Sequence, residues 1–134
     1  MRLVLDASIA ASWLFEDEAH AVADQILNVM EDGQALVPAI WPVEIASVLS
    51  SSVRHRRMKS EEIEPSVAYL RKFDIVVDDM AIDPAALAGI ALNFAISVYD
   101  AMYLDLARRH ALPLATLDKK LSAAASQAGV KIFK

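Results

Sequence analysis

Short apolar runs alternate with longer segments of helical periodicity along this chain. The runs that fit buried strands lie at residues 2–5, 34–37, 75–77, 114–116 and 130–133. Apolar residues spaced three or four apart predict helices at residues 9–15, 19–30, 43–57, from residue 60 onward, and at 83–92, 97–110 and 118–128. Pro42 suits the first position of the helix 43–57, and Gly33 ends the helix before it.

The regular order of strand and helix predicts the fold class. Strands separated by helices form parallel sheets, because a parallel neighbour needs a long crossover connection. We therefore expect an α/β fold of three layers, with a central, mostly parallel five-stranded sheet flanked by about seven helices. The chain contains no linker and no internal repeat, so residues 1–134 are predicted to form a single domain.

The composition limits the setting of the protein. The chain has no cysteine, which excludes disulfides and thiolate metal sites and is compatible with a reducing cytoplasm. Asp6 interrupts the first apolar run, which argues against a secretory signal. The longest weakly polar stretch, residues 85–98, is too short to span a bilayer and is interpreted as a buried amphipathic helix. We expect a cytoplasmic protein without a membrane segment.

The charge balance does not identify a partner. The formal net charge of −5 argues against simple electrostatic coating of nucleic acid, but acids neutralised by metal would bring the chain close to balance. One basic cluster follows the predicted helix 43–57 and consists of Arg54, His55, Arg56, Arg57 and Lys59. Cations at a helix end suit the dipole, and the functional alternative is contact of the Arg and Lys side chains with RNA phosphates.

Four acidic residues follow apolar or β-rich segments, at or near predicted helix starts: Asp6, Glu44, Asp100 and Asp118. Each has an ordinary structural explanation, since carboxylates cap helices and are favoured by the dipole in a first turn. As a set they are more informative. Asp6 and Asp118 directly follow strands, and sites in open parallel sheets form beyond the carboxyl ends of strands. We expect the fold to gather the four carboxylates into one pocket.

Carboxylates gathered in this way repel one another, and a divalent cation is the natural compensation. Because all the ligands are oxygen atoms, Mg²⁺ or Mn²⁺ fits better than zinc. Ser8 and Thr116 lie two residues from Asp6 and Asp118. Their hydroxyls are candidates to orient a carboxylate or a metal-bound water, and a local backbone hydrogen bond is the alternative.

The residues around these acids form four motifs. The motifs are Leu5-Asp6-Ala7-Ser8, Pro42-Val43-Glu44-Ile45-Ala46, Tyr99-Asp100-Ala101-Met102-Tyr103-Leu104-Asp105-Leu106-Ala107 and Ala115-Thr116-Leu117-Asp118. In this order they resemble the successive motifs of PIN-domain ribonucleases, and length and motif order are similar to the VapC-type toxins of prokaryotic toxin–antitoxin pairs. The resemblance covers essentially the whole chain. Asp105 and Leu121 depart from the small apolar and aromatic residues common in the family at those positions.

The resemblance implies an endoribonuclease that depends on Mg²⁺ or Mn²⁺, built on a PIN-like fold with a central parallel sheet. It also implies a homodimer that a cognate antitoxin protein holds inactive. Matched residue by residue, the catalytic and metal-site acids would be Asp6, Glu44, Asp100 and Asp118. Asp6 and Asp100 are the expected direct ligands, while the other two acids are expected to bind through water or to position the nucleophile.

Two other functions stay open. A phosphoryl-accepting receiver domain has a similar size and architecture, and Asp78-Asp79 follows the third strand, but the paired acids expected after the first strand are missing. A binding module that keeps the pocket without cleaving RNA is the second alternative, since binding and cleavage use the same acids.

Three aromatic residues, Trp13, Phe15 and Trp41, lie beside the first two motifs. Core packing is the default for all three. The alternatives are stacking on a base or contact with an antitoxin helix in a groove.

Overall fold

One parallel sheet of four strands organises the structure. The computed structural model describes residues 1–18 and 20–133, and its strands are β1 (Arg2–Leu5), β2 (Gln34–Val37), β3 (Asp74–Val77) and β4 (Leu114–Ala115). All neighbouring strands are parallel, in the order β3-β2-β1-β4. Leu5 pairs with Ala115, so the carboxyl ends of β1 and β4 lie side by side.

Seven α-helices are found in the described residues: α1 (Ala7–Ser12), α2 (Ala21–Val29), α3 (Ile40–Arg54), α4 (Ile63–Leu70), α5 (Pro84–Phe94), α6 (Val98–His110) and α7 (Lys119–Gln127). Two short 3₁₀ helices, Glu16–Glu18 and Ser60–Glu62, precede α2 and α4. The parallel sheet and these helices confirm the expected α/β class. Ala19, the first residue of the predicted second helix, lies outside the described residues.

The prediction of a fifth strand at residues 130–133 is wrong. Ile132 forms only an isolated parallel bridge with Leu114. Leu114 N donates to Lys131 O at 2.8 Å, and Phe133 N donates to Leu114 O at 2.9 Å. Because β4 is only two residues long, it offers too little backbone for a longer ladder. The sheet formed by the described residues therefore has four strands.

The proline pattern misplaced the start of α3. A helix from 43 to about 57 was expected, but α3 begins at Ile40 and ends at Arg54, which puts Pro42 at its third position. The first-turn N–H groups of a helix have no intrahelical partner, so proline is tolerated throughout that turn. Glu44 consequently lies in the second turn of α3.

The core covers both faces of β1. Leu3, Val4 and Leu5 are all fully buried, as expected for a parallel strand enclosed between helical layers. α6 packs across β1, β2 and β4 and buries Tyr103 completely. This packing fixes the first turn of α6, which carries Asp100, relative to the ends of the strands.

The apolar stretch 85–98 is not a buried helix, contrary to the sequence interpretation. It is divided between α5 and the start of α6, and Ala91 is the single buried residue of α5. α5 packs mainly against α6, which itself occupies the sheet, so most of α5 faces outward. Within residues 1–18 and 20–133, no helix is by itself long and apolar enough to cross a membrane.

Candidate active site

Asp6 lies directly beyond β1, at the carboxyl end of the sheet. Its N–H donates to the Ala115 carbonyl at 2.9 Å, so the backbone ladder between β1 and β4 continues to this residue. Asp6 occupies the N-cap position of α1, but its side chain makes no capping hydrogen bond. The side chain is nevertheless buried, with 7% of the residue exposed. Helix capping therefore does not explain this carboxylate.

Two hydroxyl groups hold the Asp6 carboxylate. Ser8 Oγ donates to Asp6 Oδ2 at 2.9 Å, and Thr116 Oγ1 donates to the same oxygen at 2.5 Å. Thr116 Oγ1 also accepts from Asp118 N at 3.0 Å, which links the segments that follow β1 and β4. Both hydroxyls thus contact the Asp6 carboxylate, and the hydroxyl of Thr116 also makes the local backbone hydrogen bond that was the alternative.

Asp118 is exposed and caps α7. Its Oδ1 accepts from the N–H groups of Lys120 at 2.8 Å and Leu121 at 3.1 Å. The capping explanation is therefore correct for this acid. Since capping occupies Oδ1, a second role for Asp118 has to use Oδ2 or a bridging water.

Glu44 is held by Tyr103, a residue that the sequence interpretation did not assign to the site. The Tyr103 hydroxyl donates to Glu44 Oε1 at 2.6 Å and accepts from Ala7 N at 3.2 Å. Burial raises the pKa of Tyr103, and the bond to Glu44 raises it further, so the phenol stays protonated and remains a donor. The available sequence signal was its position one helical turn after Asp100, on the same side of α6.

Asp100 lies in the first turn of α6, behind the N-cap residue Ser97, whose Oγ accepts from Asp100 N at 3.0 Å. Burial raises the pKa of Asp100, and the charges of Asp118 and Asp6 raise it further. Lys120 and the Ser97 hydroxyl partly oppose this rise. Asp100 is therefore a half-buried carboxylate that neighbouring acids disfavour in its charged form.

The pKa of Glu44 is raised as well, first by burial and then by the charges of Asp6 and Asp100. The hydrogen bond from Tyr103 acts in the opposite direction. Together with the effect of Asp118 on Asp100, these interactions connect all four acids. The charge of Asp6 thus acts on both Glu44 and Asp100 at the carboxyl end of the sheet, although these acids come from separate parts of the sequence.

The four carboxylates are suitable ligands for Mg²⁺ or Mn²⁺. All four side chains are carboxylates, the ligands that hard divalent cations prefer, and a cation would relieve their mutual repulsion. Among residues 1–18 and 20–133, no group of three or more acidic or histidine side chains is already arranged as a set of metal ligands. The carboxylates would have to turn toward the ion when it binds.

Replacing Glu44 with glutamine is expected to stabilise the metal-free protein at neutral pH. Folding raises the pKa of this carboxyl group, so its stabilising contribution is fully present below the unfolded pKa of about 4 and is lost as the pH rises through the folded pKa. Glutamine keeps an acceptor for Tyr103 without the charge. At pH 7 in EDTA we expect a gain of about 1 kcal/mol in unfolding free energy, or about 3 °C in Tm, because solvent screens this half-exposed group.

Thermal unfolding followed by circular dichroism between pH 4 and pH 8 measures this effect, with Glu31→Gln on the exposed surface as the control. The gain should shrink toward the acid end of the series. A gain of equal size at every pH would show that the charge of Glu44 is not its cause.

The basic cluster lies at the other end of α3 from the acids. Arg54 is roughly 15 Å beyond Glu44 along the helix axis, at about 1.5 Å per residue. Arg57 is paired with Asp17 at 3.1 Å and with Glu18 at 2.9 Å. These ion pairs favour a structural role for Arg57 over phosphate contact. The other basic members of the cluster are exposed: Arg54, His55, Arg56 and Lys59.

The three aromatic residues pack as the default interpretation predicted. Phe15 and Trp41 are buried, and Trp13 is half-buried, with its ring centre 5.3 Å from that of Phe73. Trp13 Nε1 donates to Ala23 O at 3.0 Å. Trp41 also lines a groove between α3, α4 and β3, and its buried Nε1 has no hydrogen-bond partner in the part of the chain that the structure describes.

The sequence matches the model of the PIN domain family over residues 3–127. Because the match covers most of the chain, the protein belongs to the PIN domain family. No curated protein matches the sequence.

Solved structures share the fold. The crystal structure of PAE2754 from Pyrobaculum aerophilum is 20% identical, with a TM-score of 0.67, and the match covers 99% of this chain and 84% of that one. The crystal structure of VapBC2 from Rickettsia felis, bound to a fragment of promoter DNA, is 12% identical to this chain, with a TM-score of 0.69. The match covers 98% of this chain and 97% of that one. The crystal structure of FitAcB from Neisseria gonorrhoeae is 23% identical to this chain, with a TM-score of 0.57. The match covers 100% of this chain and 97% of that one.

The strand order does not fit the receiver alternative. In the receiver-type order 2-1-3-4-5 the first and third strands are neighbours, whereas here β2 separates β1 from β3. Asp78, which follows β3, is bound to Arg109 at 2.6 Å and therefore lies in a different environment from Asp6. Family membership and this placement both favour a PIN-type function.

Proposed function

We propose that the protein is a metal-dependent endoribonuclease and the toxin of a toxin–antitoxin pair. It would hydrolyse RNA phosphodiester bonds with water activated by Mg²⁺ or Mn²⁺. The observation that supports this most is the buried carboxylate of Asp6 beyond β1, held by the hydroxyls of Ser8 and Thr116, in a chain that belongs to the PIN domain family. The four acids that the family motifs match come from four separate segments: Asp6, Glu44, Asp100 and Asp118.

A divalent cation bound there would lower the pKa of a water molecule and stabilise negative charge on the phosphate oxygens. Asp6 and Asp100 are proposed as its direct ligands. Two hydroxyls fix Asp6, and Asp100 stays half-buried at the positive end of α6. Glu44, oriented by Tyr103, and Asp118, oriented by α7, are proposed to act through water and to position the attacking nucleophile.

A groove supports an antitoxin as the protein partner. It has a volume of about 720 Å³ and lies between α3, α4 and β3. Its apolar lining includes Trp41, Ile45, Leu49, Val67 and Phe73. Grooves of this character accept the apolar face of an amphipathic helix. The likeness of the fold to that of VapBC2 and the VapC-type sequence motifs also support an antitoxin as the partner. Two further predictions are not tested by the structure. One is that the basic cluster contacts RNA, and the other is that the protein forms a homodimer.

RNA cleavage by the purified protein tests the proposed activity. Defined RNAs are incubated with wild-type protein in Mg²⁺, Mn²⁺ or EDTA, and in parallel with Asp100→Asn. We expect cleavage only with metal, and a rate lower by at least about a hundredfold in the variant, because one preorganised charge has been removed from the site. Asp24→Asn, on the exposed surface of α2, is the matched control and should cleave at the wild-type rate.

Equal cleavage by wild type and Asp100→Asn would contradict the proposal, since the activity would then not depend on the acids. Isothermal titration calorimetry with Mn²⁺ tests the alternative that the protein binds metal and RNA without cleaving the RNA. Binding of Mn²⁺ that needs Asp100, without cleavage of any RNA tested, would identify a catalytically silent binding module instead of a nuclease.

A further inference from the structure

Lys120 is a cation that the fold holds beside the acidic residues. It is the second residue of α7, and its N–H donates to Asp118 Oδ1 at 2.8 Å. Asp118 N donates to Thr116 Oγ1 at 3.0 Å, and the hydroxyl of Thr116 donates to Asp6 Oδ2. Consecutive hydrogen bonds therefore fix the backbone of Lys120 relative to two of the four acids, while the residue itself is exposed.

The charge of Lys120 reaches a third acid. Burial and the charges of Asp118 and Asp6 raise the pKa of Asp100, and the charge of Lys120 acts in the opposite direction. Within residues 1–18 and 20–133, Lys120 forms no ion pair, so its ammonium group is not held by any single carboxylate. It is thus a cation at the rim of the site that can contact a ligand.

The other cations of the described chain are held elsewhere or lie far from the acids. Contacts with other side chains hold Arg57, Arg108 and Arg109. The exposed members of the basic cluster lie at the far end of α3 from the acids. The amino ends of the strands, at the opposite edge of the sheet, carry Arg2, Arg71, Lys72 and Lys131. Lys120 and its neighbour Lys119 are therefore the described cations that lie in the segment next to the acids.

The charge of the site explains why RNA needs such a cation. One divalent ion would offset only half of the charge of four ionised carboxylates. Every phosphate of an RNA backbone adds another negative charge, so the acids would still repel the substrate. A positive side chain at the rim opposes this repulsion without occupying a position of a metal ligand.

We propose that the ammonium group of Lys120 binds an RNA phosphate beside the scissile bond and thereby holds the backbone against the acids. The inference rests on the proposed function, because it takes RNA as the substrate. Lysine carries a compact charge on a flexible stem and binds phosphate as a point charge. Contacts to phosphate carry no sequence information, so Lys120 contributes affinity for single-stranded RNA of any sequence.

Binding of a short, fluorescent, single-stranded RNA, followed by fluorescence anisotropy, tests this contact. The measurement uses Ca²⁺, which takes oxygen ligands as Mg²⁺ does, and gel electrophoresis verifies that the RNA stays intact. At about 0.1 M KCl, Lys120→Gln is expected to bind RNA about tenfold more weakly than the wild type, because one charge-assisted contact is lost. Between about 50 and 200 mM KCl, the slope of log affinity against log salt should become less steep by about 0.7, the value for one phosphate of a single strand.

Three further variants locate the effect. Lys120→Arg keeps the positive charge and should bind RNA within about twofold of the wild type. Lys119→Gln removes a charge that lies about 100° away around the helix, and it should weaken binding less than Lys120→Gln. Lys131→Gln makes the same change in net charge at the opposite edge of the sheet and should leave the salt slope unchanged.

Calorimetry with Mn²⁺ separates contact with RNA from an effect on the metal site. Lys120→Gln should bind Mn²⁺ at least as tightly as the wild type, because the loss of a cation makes the site more negative. A loss of Mn²⁺ affinity that matches the loss of RNA affinity would show that Lys120 acts through the metal. That result, an unchanged salt slope, or an equal effect of Lys119→Gln would overturn the proposal.

These results are independent of cleavage. RNA binding that needs Lys120, in a protein that cleaves no RNA, would contradict the proposed nuclease activity and leave the phosphate contact in place. Metal-dependent cleavage together with a salt slope that Lys120→Gln does not change would contradict the phosphate contact alone.

Discussion

Replacing Asp6 with asparagine is expected to slow metal-dependent RNA cleavage by about a hundredfold to a thousandfold and to destabilise the fold at the same time. The first effect follows from the proposed role of Asp6 as a direct ligand, whose charge the amide lacks. The second follows from the two hydroxyls that converge on Asp6 Oδ2. A neutral amide weakens these charge-assisted hydrogen bonds in a buried place, so the unfolding free energy should fall by about 1–2 kcal/mol.

The direction of the stability change separates Asp6 from Glu44, whose replacement by glutamine is expected to stabilise the protein. We would measure catalysis by single-turnover cleavage rates, metal binding by calorimetry with Mn²⁺, and stability by urea unfolding. Asp24→Asn is the control in all three experiments. Unchanged Mn²⁺ affinity in Asp6→Asn would remove Asp6 from the metal site. A gain in stability would mean that repulsion among the acids outweighs the bonds from Ser8 and Thr116.

Tyr103→Phe is expected to slow RNA cleavage by about tenfold to a hundredfold, with a loss of about 1–2 kcal/mol in unfolding free energy. Phenylalanine fills the same fully buried position, so no cavity forms. The variant loses the donor to Glu44 Oε1 and the acceptor for Ala7 N. An unpaired buried N–H accounts for the lost stability, and a Glu44 side chain that is no longer oriented accounts for the slower reaction.

A double-mutant cycle tests whether Tyr103 acts through Glu44. The cleavage defect of Glu44→Gln combined with Tyr103→Phe should be little larger than that of Glu44→Gln alone, because both changes disturb the same carboxylate. Tyr69→Phe, on α4, is the control and should cleave RNA normally. Fully additive defects would mean that Tyr103 influences the reaction by another route.

Local patterns account for most of the fold. Apolar runs and helical spacing are properties of neighbouring residues, so they identified all four strands, β1 to β4, and predicted that the sheet is parallel. Two of the three failures, the fifth strand and the exposure of α5, concern relations between distant segments, and the third is the start of α3, which the proline pattern placed too late. The ladder at residues 130–133 depends on the length of β4, and the exposure of α5 depends on α6 already covering the sheet.

The sequence by itself determined the α/β class and the PIN family motifs, and it proposed the four acids, because each acid follows a strand or lies near a helix start that local patterns reveal. The tertiary structure alone decided what holds those acids. Thr116 reaches Asp6 from 110 residues away, and Tyr103 reaches Glu44 from 59 residues away. These contacts arise only when α6 and β4 pack beside β1, and no pattern among neighbouring residues encodes that packing.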